Sequence, residues 1–205
     1  MATFSTSEAI SYGWEAQKKN MSFFLPFVLV TTFVPVLISF LLQKAGGGAF
    51  ISLLFTLVEI YLGMIVMKVT LRIVDGETVT WNNAFQGITG MQMVKYFFVS
   101  LVVAIAAGFA SLLIIIPGLI VSMGMSQARY FVIDKDTGVM ESINRSWEIT
   151  RGSRLNLFGL YIVSVLVVLL GLICVGVGLL FAIPTVMFAM AHVYRTLETR
   201  VVAAA

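Results

Sequence analysis

Few side chains in this sequence could do chemistry, and they stand apart from one another. There is one histidine, His192, and one cysteine, Cys174. His192 lies in an apolar run without the Cys or carboxylate neighbours that a metal site needs, so a packed or head-group-facing ring is expected. A single cysteine closes no intramolecular disulfide. The sequence holds no phosphate-cradling glycine loop, no zinc spacing and no nucleophile elbow. Asp134 and Asp136 flank Lys135, a pattern that a solvated turn explains better than a pair of acid–base carboxylates. No nucleophile–base set can be assembled, so no catalytic residue, cofactor site or metal site is expected.

Four polar residues inside apolar runs are the candidates for a role there: Glu59, Gln127, Arg129 and His192. Ionisable groups at membrane depth are costly and commonly face a partner or a wet cavity. Glu59 stands nine residues into its run, roughly 13 Å deep at helical rise. Lys68 comes nine residues later, and at about 100° per residue it projects from the opposite helix face. Arg129 sits at a similar depth in a later run. The expectation is a Glu59–Arg129 pair, the alternative being a protonated Glu59 beside an Arg129 that snorkels to the interface.

These residues are set in an unusually oily chain. Of 205 residues, 60% are hydrophobic and 11% charged, where soluble domains run near about 25% charged. Six apolar blocks of spanning length are read at about 21–42, 50–74, 96–116, 119–133, 155–175 and 179–194. They predict an all-α membrane protein with six transmembrane helices. Alternate threading places twelve of the thirteen Lys/Arg on one face, Lys44 being the exception. The positive-inside rule makes that face cytoplasmic, with both termini inside a bacterial inner membrane. The outer connections are short: Gln43–Ala49, Pro117-Gly118 and Gly176-Val177-Gly178. Met1–Asn20 is polar and acidic, so it is not expected to be a cleavable signal. The net charge of +3 points to anionic lipid head groups and away from nucleic acid.

Two segments repeat. Glu8-Ala9-Ile10-Ser11-Tyr12-Gly13-Trp14-Glu15 matches Glu141-Ser142-Ile143-Asn144-Arg145-Ser146-Trp147-Glu148 at Glu, Ile, Trp and Glu. Ile and Trp stand at i and i+4, sharing a helix face. Residues 5–19 and 138–151 are therefore expected to form interfacial amphipathic helices with Trp at head-group depth. Ser5 and Glu8 supply a capping box for the first. A weaker copy spans about 80–93 around Trp81. The chain would then be three units, each an interfacial helix followed by a two-span hairpin, in one parallel orientation. Ala104-x-x-x-Gly108 and Ala182 with Ala189 are expected to let helices approach closely.

The second half carries a further pattern: Ile116-Pro117-Gly118, Arg129-Tyr130-Phe131-Val132, Glu141-Ser142-Ile143-x-x-Ser146-Trp147-Glu148-Ile149-Thr150-Arg151-Gly152, Pro184 and Tyr194-Arg195. This resembles the membrane domain of bacterial glycerophosphoryl diester phosphodiesterases and the uncharacterised YciC-like membrane proteins. The resemblance covers about 115–195 and implies a six-span fold and a membrane location. In those phosphodiesterases the hydrolytic chemistry belongs to a separate soluble barrel, which these 205 residues do not hold, so no hydrolysis is implied here.

The expected function is non-enzymatic: a scaffold or accessory subunit with a basic inner face for anionic lipid or a cytoplasmic or membrane protein partner. Trp14, Trp81 and Trp147 would anchor that face, and Lys18, Lys19, Arg145, Arg151, Arg154 and Arg195 would supply its charge. The alternative is a small transporter or channel for an amphipathic or lipid-like substrate, with Glu59 as the coupling group. Oligomeric state leaves no mark on the sequence.

Overall fold

The structure, a computed structural model, describes residues 4–44, 46, 48–113, 115–173 and 178–202. Cys174 and the Gly176-Val177 part of the expected last turn lie outside the described residues. Among the described residues every regular element is a helix. In chain order they are α1 (Thr6–Val28), a π-helical turn (Leu29–Phe33), α2 (Val34–Lys44), α3 (Ala49–Val74), α4 (Trp81–Ala84) and α5 (Gly90–Leu113). There follow α6 (Ile115–Met125), α7 (Ala128–Lys135), α8 (Val139–Ile149), α9 (Arg154–Ile173) and α10 (Leu179–Val202).

Five helical stretches are long and apolar enough to cross a bilayer: Thr6–Lys44, Phe50–Val74, Gly90–Gly108, Arg154–Ile173 and Leu179–Val201. The fourth expected block, 119–133, is not one continuous helix of that length. That block is broken after Met125, and the eleven residues of α6 rise only about 16 Å. The break has a local cause. Around the turn at Ser126-Gln127, side chains of α8 stand in for the helical ladder. Ser146 Oγ donates to the Gly124 carbonyl at 2.8 Å and accepts the Gln127 N–H at 3.1 Å. Orphan backbone groups at two helix ends are thereby satisfied. Pro117 and Gly118 fall inside the first turn of α6 rather than forming the outer turn; a first-turn proline lacks only an N–H that has no helical partner there.

In the first block the two expected elements are continuous. No boundary separates an interfacial 5–19 helix from the span, because α1 runs unbroken from Thr6 to Val28. The expected capping box does not form: Ser5 Oγ pairs with Ser7 Oγ at 2.8 Å instead. Further along, the Val34 N–H reaches back five residues to the Leu29 carbonyl. Pro35 follows immediately, has no N–H, and its ring would press on the carbonyl of residue 31; a π turn makes room for it.

The most extensive helix–helix interface joins α1 and α10. Ala9, Gly13 and Gln17 form its buried stripe. A Cβ at Gly13 would lie 2.2 Å from the Thr185 carbonyl and 3.0 Å from the Ala189 nitrogen, so only glycine allows this approach. Ala182 likewise closes on Gly171 of α9. The Ala104–Gly108 face behaves otherwise, since nothing lies within 4 Å of a Cβ at Gly108. The middle copy shrinks to α4, four residues capped reciprocally by Thr80 and Asn83. The outer faces of α2 and α3 expose Leu37, Phe40, Leu41, Phe50 and Leu53, the surface that hydrocarbon solvates.

Candidate functional site

The charged residues gather at one end of the bundle, and Arg195 of α10 is their centre. Its Nε and Nη2 donate to the two carboxylate oxygens of Asp75, at 2.7 and 2.6 Å. Its Nη1 and Nη2 also take Asp134, at 2.7 and 2.8 Å. Glu198 accepts from Nη1 at 2.9 Å. Such planar, charge-assisted contacts are the strong class of hydrogen bond. Asp134 further accepts the Tyr194 hydroxyl at 2.9 Å, and Lys135 stands 3.4 Å from Asp134 and 3.1 Å from Glu198. One guanidinium therefore ties the ends of α3, α7 and α10. Burial pushes the Asp134 carboxyl up, but the Arg195 hydrogen bonds and charge, the Tyr194 hydroxyl and Lys135 together hold it below its usual range. The hydrogen bond to Glu198, aided by the neighbouring carboxylate charges, outweighs burial and raises Lys135.

The three acids occupy matching places. Leu71-Arg72-Ile73-Val74-Asp75, Tyr130-Phe131-Val132-Ile133-Asp134 and Tyr194-Arg195-Thr196-Leu197-Glu198 each end a helix segment with an acid four residues after Leu or Tyr. The first members, Leu71, Tyr130 and Tyr194, meet in one buried cluster, which Val74, Ile133 and Leu197 extend. Tyr130 and Tyr194 stack there at 5.2 Å. These assignments correct two expectations. Asp134 is no solvated turn residue, whereas Asp136, half-exposed in a left-handed conformation, is. Arg195 is committed to carboxylates and is not free for a head group.

Lys44, at the end of α2, lies over the Phe40 ring at 4.8 Å; the other remaining cations divide in two. Arg72 pairs with Glu77 at 2.7 Å and holds the Asn83 carbonyl of α4 at 3.0 Å. Lys95 pairs with Asp136 at 2.9 Å, and Arg145 with Glu141 at 2.8 Å. Lys68 donates to the Gly87 carbonyl. By contrast, Lys18, Lys19, Arg129, Arg151, Arg154 and Arg200 form no ion pair among the described residues. Arg200 instead pins the turn before α9, donating at 3.0 Å to Ser153 Oγ and at 3.0 Å to the Arg151 carbonyl.

Trp147 lies flat on Gly124, where a Cβ would come within 2.3 Å of the indole. Arg154 stands over the same ring, 4.0 Å from its centre. Gln127 is fully buried at the α6–α7 break; its Nε2 donates to Ser126 Oγ at 3.2 Å while its Oε1 has no partner. Trp14 carries Lys18 at 5.7 Å, and Trp81 packs edgewise on Phe23 and Phe27. All three tryptophans keep an exposed edge. His192 stacks on Tyr12 at 3.8 Å.

The expected Glu59–Arg129 pair is not formed: neither residue joins an ion pair among the described residues. Arg129 sits beyond the helix break, exposed, acting electrostatically on Tyr130 and Tyr161. Glu59 shares the α3 face of Leu62 and Val66 at i+3 and i+7, the face packed on Phe24, Phe27 and Val28. Sequence reasoning missed Asp75 and Glu198, although Arg72-x-x-Asp75 and Arg195-x-x-Glu198 are visible as a shared spacing. No family model, curated protein or solved structure matches the chain.

Proposed function

We propose that this chain is a non-enzymatic membrane scaffold or accessory subunit of the bacterial inner membrane, with both termini cytoplasmic, that engages anionic lipid or a protein partner through its charged end. The observation that carries this reading is the division of the cations. Arg195 is neutralised by carboxylates of α3, α7 and α10, whereas Lys18 and Arg154 stand beside exposed tryptophans without an ion pair among the described residues. Unpaired rim cations attract anionic leaflets by about 1 kcal/mol each. The pattern resembling the phosphodiesterase membrane domain supports the location and nothing catalytic.

Six crossings in three units remain the reading we favour. The Lys95–Asp136 pair brings the start of α5 beside the end of α7, so α6 and α7 end to end make the fourth crossing. Each short copy also leans on the preceding hairpin: α8 on α6 and α4 on α3, with α1 closing the ring on α10. The test is lipid retention. Chain extracted from native membrane should carry phosphatidylglycerol-type lipids above their bulk fraction by mass spectrometry. Lys18, Lys19, Arg151 and Arg154 changed together to Gln should remove the excess. No excess in the unmodified chain, or an undiminished one in the variant, ends the proposal.

A second reading, a small transporter for a lipid-like substrate, draws on Glu59 alone. Glu59 lies without an ionic partner on the α3 face that meets the π turn, and π turns are frequent at functional sites. Glu59→Cys in a Cys174→Ser chain should react with a membrane-impermeant thiol reagent if water reaches that depth. No labelling removes this reading.

A further inference from the structure

An apolar groove lies between α6 and α9, and Arg154 belongs to the α9 face that helps to line it. Residues 154, 158, 161 and 165 recur at i, i+4, i+7 and i+11, so they share one face of α9. Below Arg154 that face, with Leu119 and Met123 of α6 opposite, lines a groove of about 350 Å³. Its walls are Phe158, Tyr161, Ile162 and Val165 on the α9 side. Trp147 caps the adjoining end of α6 at Gly124. The guanidinium of Arg154 rests on Trp147, has no carboxylate in reach among the described residues, and its Nε is buried without an acceptor there. The nearest acid in sequence, Glu148, forms no ion pair with it. Arg154 as a whole is only half-buried, so its unneutralised charge is open to an acceptor from outside. Arg151 lies exposed in the same turn, whose backbone Arg200 holds in place.

We propose that Arg154, stacked on Trp147 and flanked by Arg151, binds the phosphate of one anionic phospholipid whose acyl chain lies in the α6–α9 groove. The charge requirement selects the head group: a planar guanidinium matches two phosphate oxygens, and a net-neutral lipid would bring its own cation to an already positive turn. The apolar walls select a lipid over free phosphate. This site rests on the lipid-engaging reading above and narrows it to one place on the rim.

The test uses full-length chains that retain a single tryptophan, the others changed to Phe, reconstituted in phosphatidylcholine vesicles. Brominated phosphatidylglycerol should quench Trp147 about fivefold more effectively than brominated phosphatidylcholine, the worth of one interfacial cation. In the chain retaining only Trp81, which carries no stacked cation, the two lipids should quench alike. Arg154→Gln should abolish the preference at Trp147 while leaving quenching by brominated phosphatidylcholine unchanged. Arg145→Gln, a residue paired with Glu141, should keep it. Equal quenching of Trp147 by both lipids, a preference at Trp81 as large as at Trp147, or a preference that survives Arg154→Gln overturns the site. If retained anionic lipid persists in the mass-spectrometric assay while these preferences are missing, the site alone fails and the broader reading stands.

Discussion

Replacing Arg195 by Met keeps the length of the side chain and removes the charge from a cluster of three carboxylates. Asp75, Asp134 and Glu198 would then face one another with only Lys135 nearby, at 3.4 Å from Asp134 and 3.1 Å from Glu198. Breaking a fully buried pair costs about 3–5 kcal/mol, and an exposed pair about 0.2–1 kcal/mol. The Arg195 side chain is 21% exposed, against 13% for Asp134, 17% for Glu198 and 35% for Asp75. The cluster therefore falls between those limits, and a loss of about 2–3 kcal/mol is expected, part of it recovered as a carboxylate takes up a proton. In a chain of this length that lowers the unfolding midpoint by about 5–10 °C, measured in detergent by tryptophan fluorescence. Asp134→Asn on the Arg195→Met background should cost less than on the unmodified chain, with a coupling above about 1 kcal/mol. An Arg195→Met midpoint no lower than that of Arg151→Met, or strict additivity with Asp134→Asn, would refute a central role for this guanidinium.

The depressed Asp134 carboxyl makes stability pH-dependent with a definite sign. Unfolded, Asp134 binds a proton near pH 4; folded, it does so only lower. Its contribution is therefore complete above about pH 4 and is lost as pH falls through the folded value, and Asp134→Asn should flatten the unfolding midpoint over that window. Gly13→Ala forces a Cβ to 2.2 Å from the Thr185 carbonyl and should destabilise by about 1–3 kcal/mol, whereas Gly108→Ala meets open space and should be neutral or stabilising by up to about 1 kcal/mol; equal effects on the two midpoints would contradict the packing described. Ser146→Ala removes the acceptor of the Gln127 N–H and one of the two hydroxyls on the Gly124 carbonyl, Thr150 remaining at 3.3 Å, costing about 1–3 kcal/mol, and hydrogen exchange should quicken first around residues 124–128.

The apolar blocks revealed the helices because lipid requires long oily runs, and block lengths are a property of composition. The α6–α7 break was hidden for a physical reason: its cause lies in Ser146 and Thr150, about twenty residues downstream, whose hydroxyls reach the Gly124 carbonyl. The expected pairing of Glu59 with Arg129 rested on depth along ideal helices, and a break between Met125 and Ala128 invalidates that measure for Arg129. Trp147 and Arg154 were visible as rim residues, but their stacking depends on the turn at 150–154, where Gly152 takes a positive φ. The capping pattern at Ser5 was misleading because a neighbouring serine competes for the same hydroxyl.

The closure of α1 on α10 bears on the timing of biogenesis. Gln17 waits for Thr185, 168 positions later, and Thr6 for Asn156, 150 positions later. At ribosomal speed that interval lasts roughly ten to thirty seconds, during which the glycine-bearing flank of the first helix has no permanent neighbour. Until the last helix is released, that flank faces lipid or the insertion machinery. A message truncated before α10 would accordingly yield a fragment whose opening helix stays unsheltered, a natural target for membrane quality control.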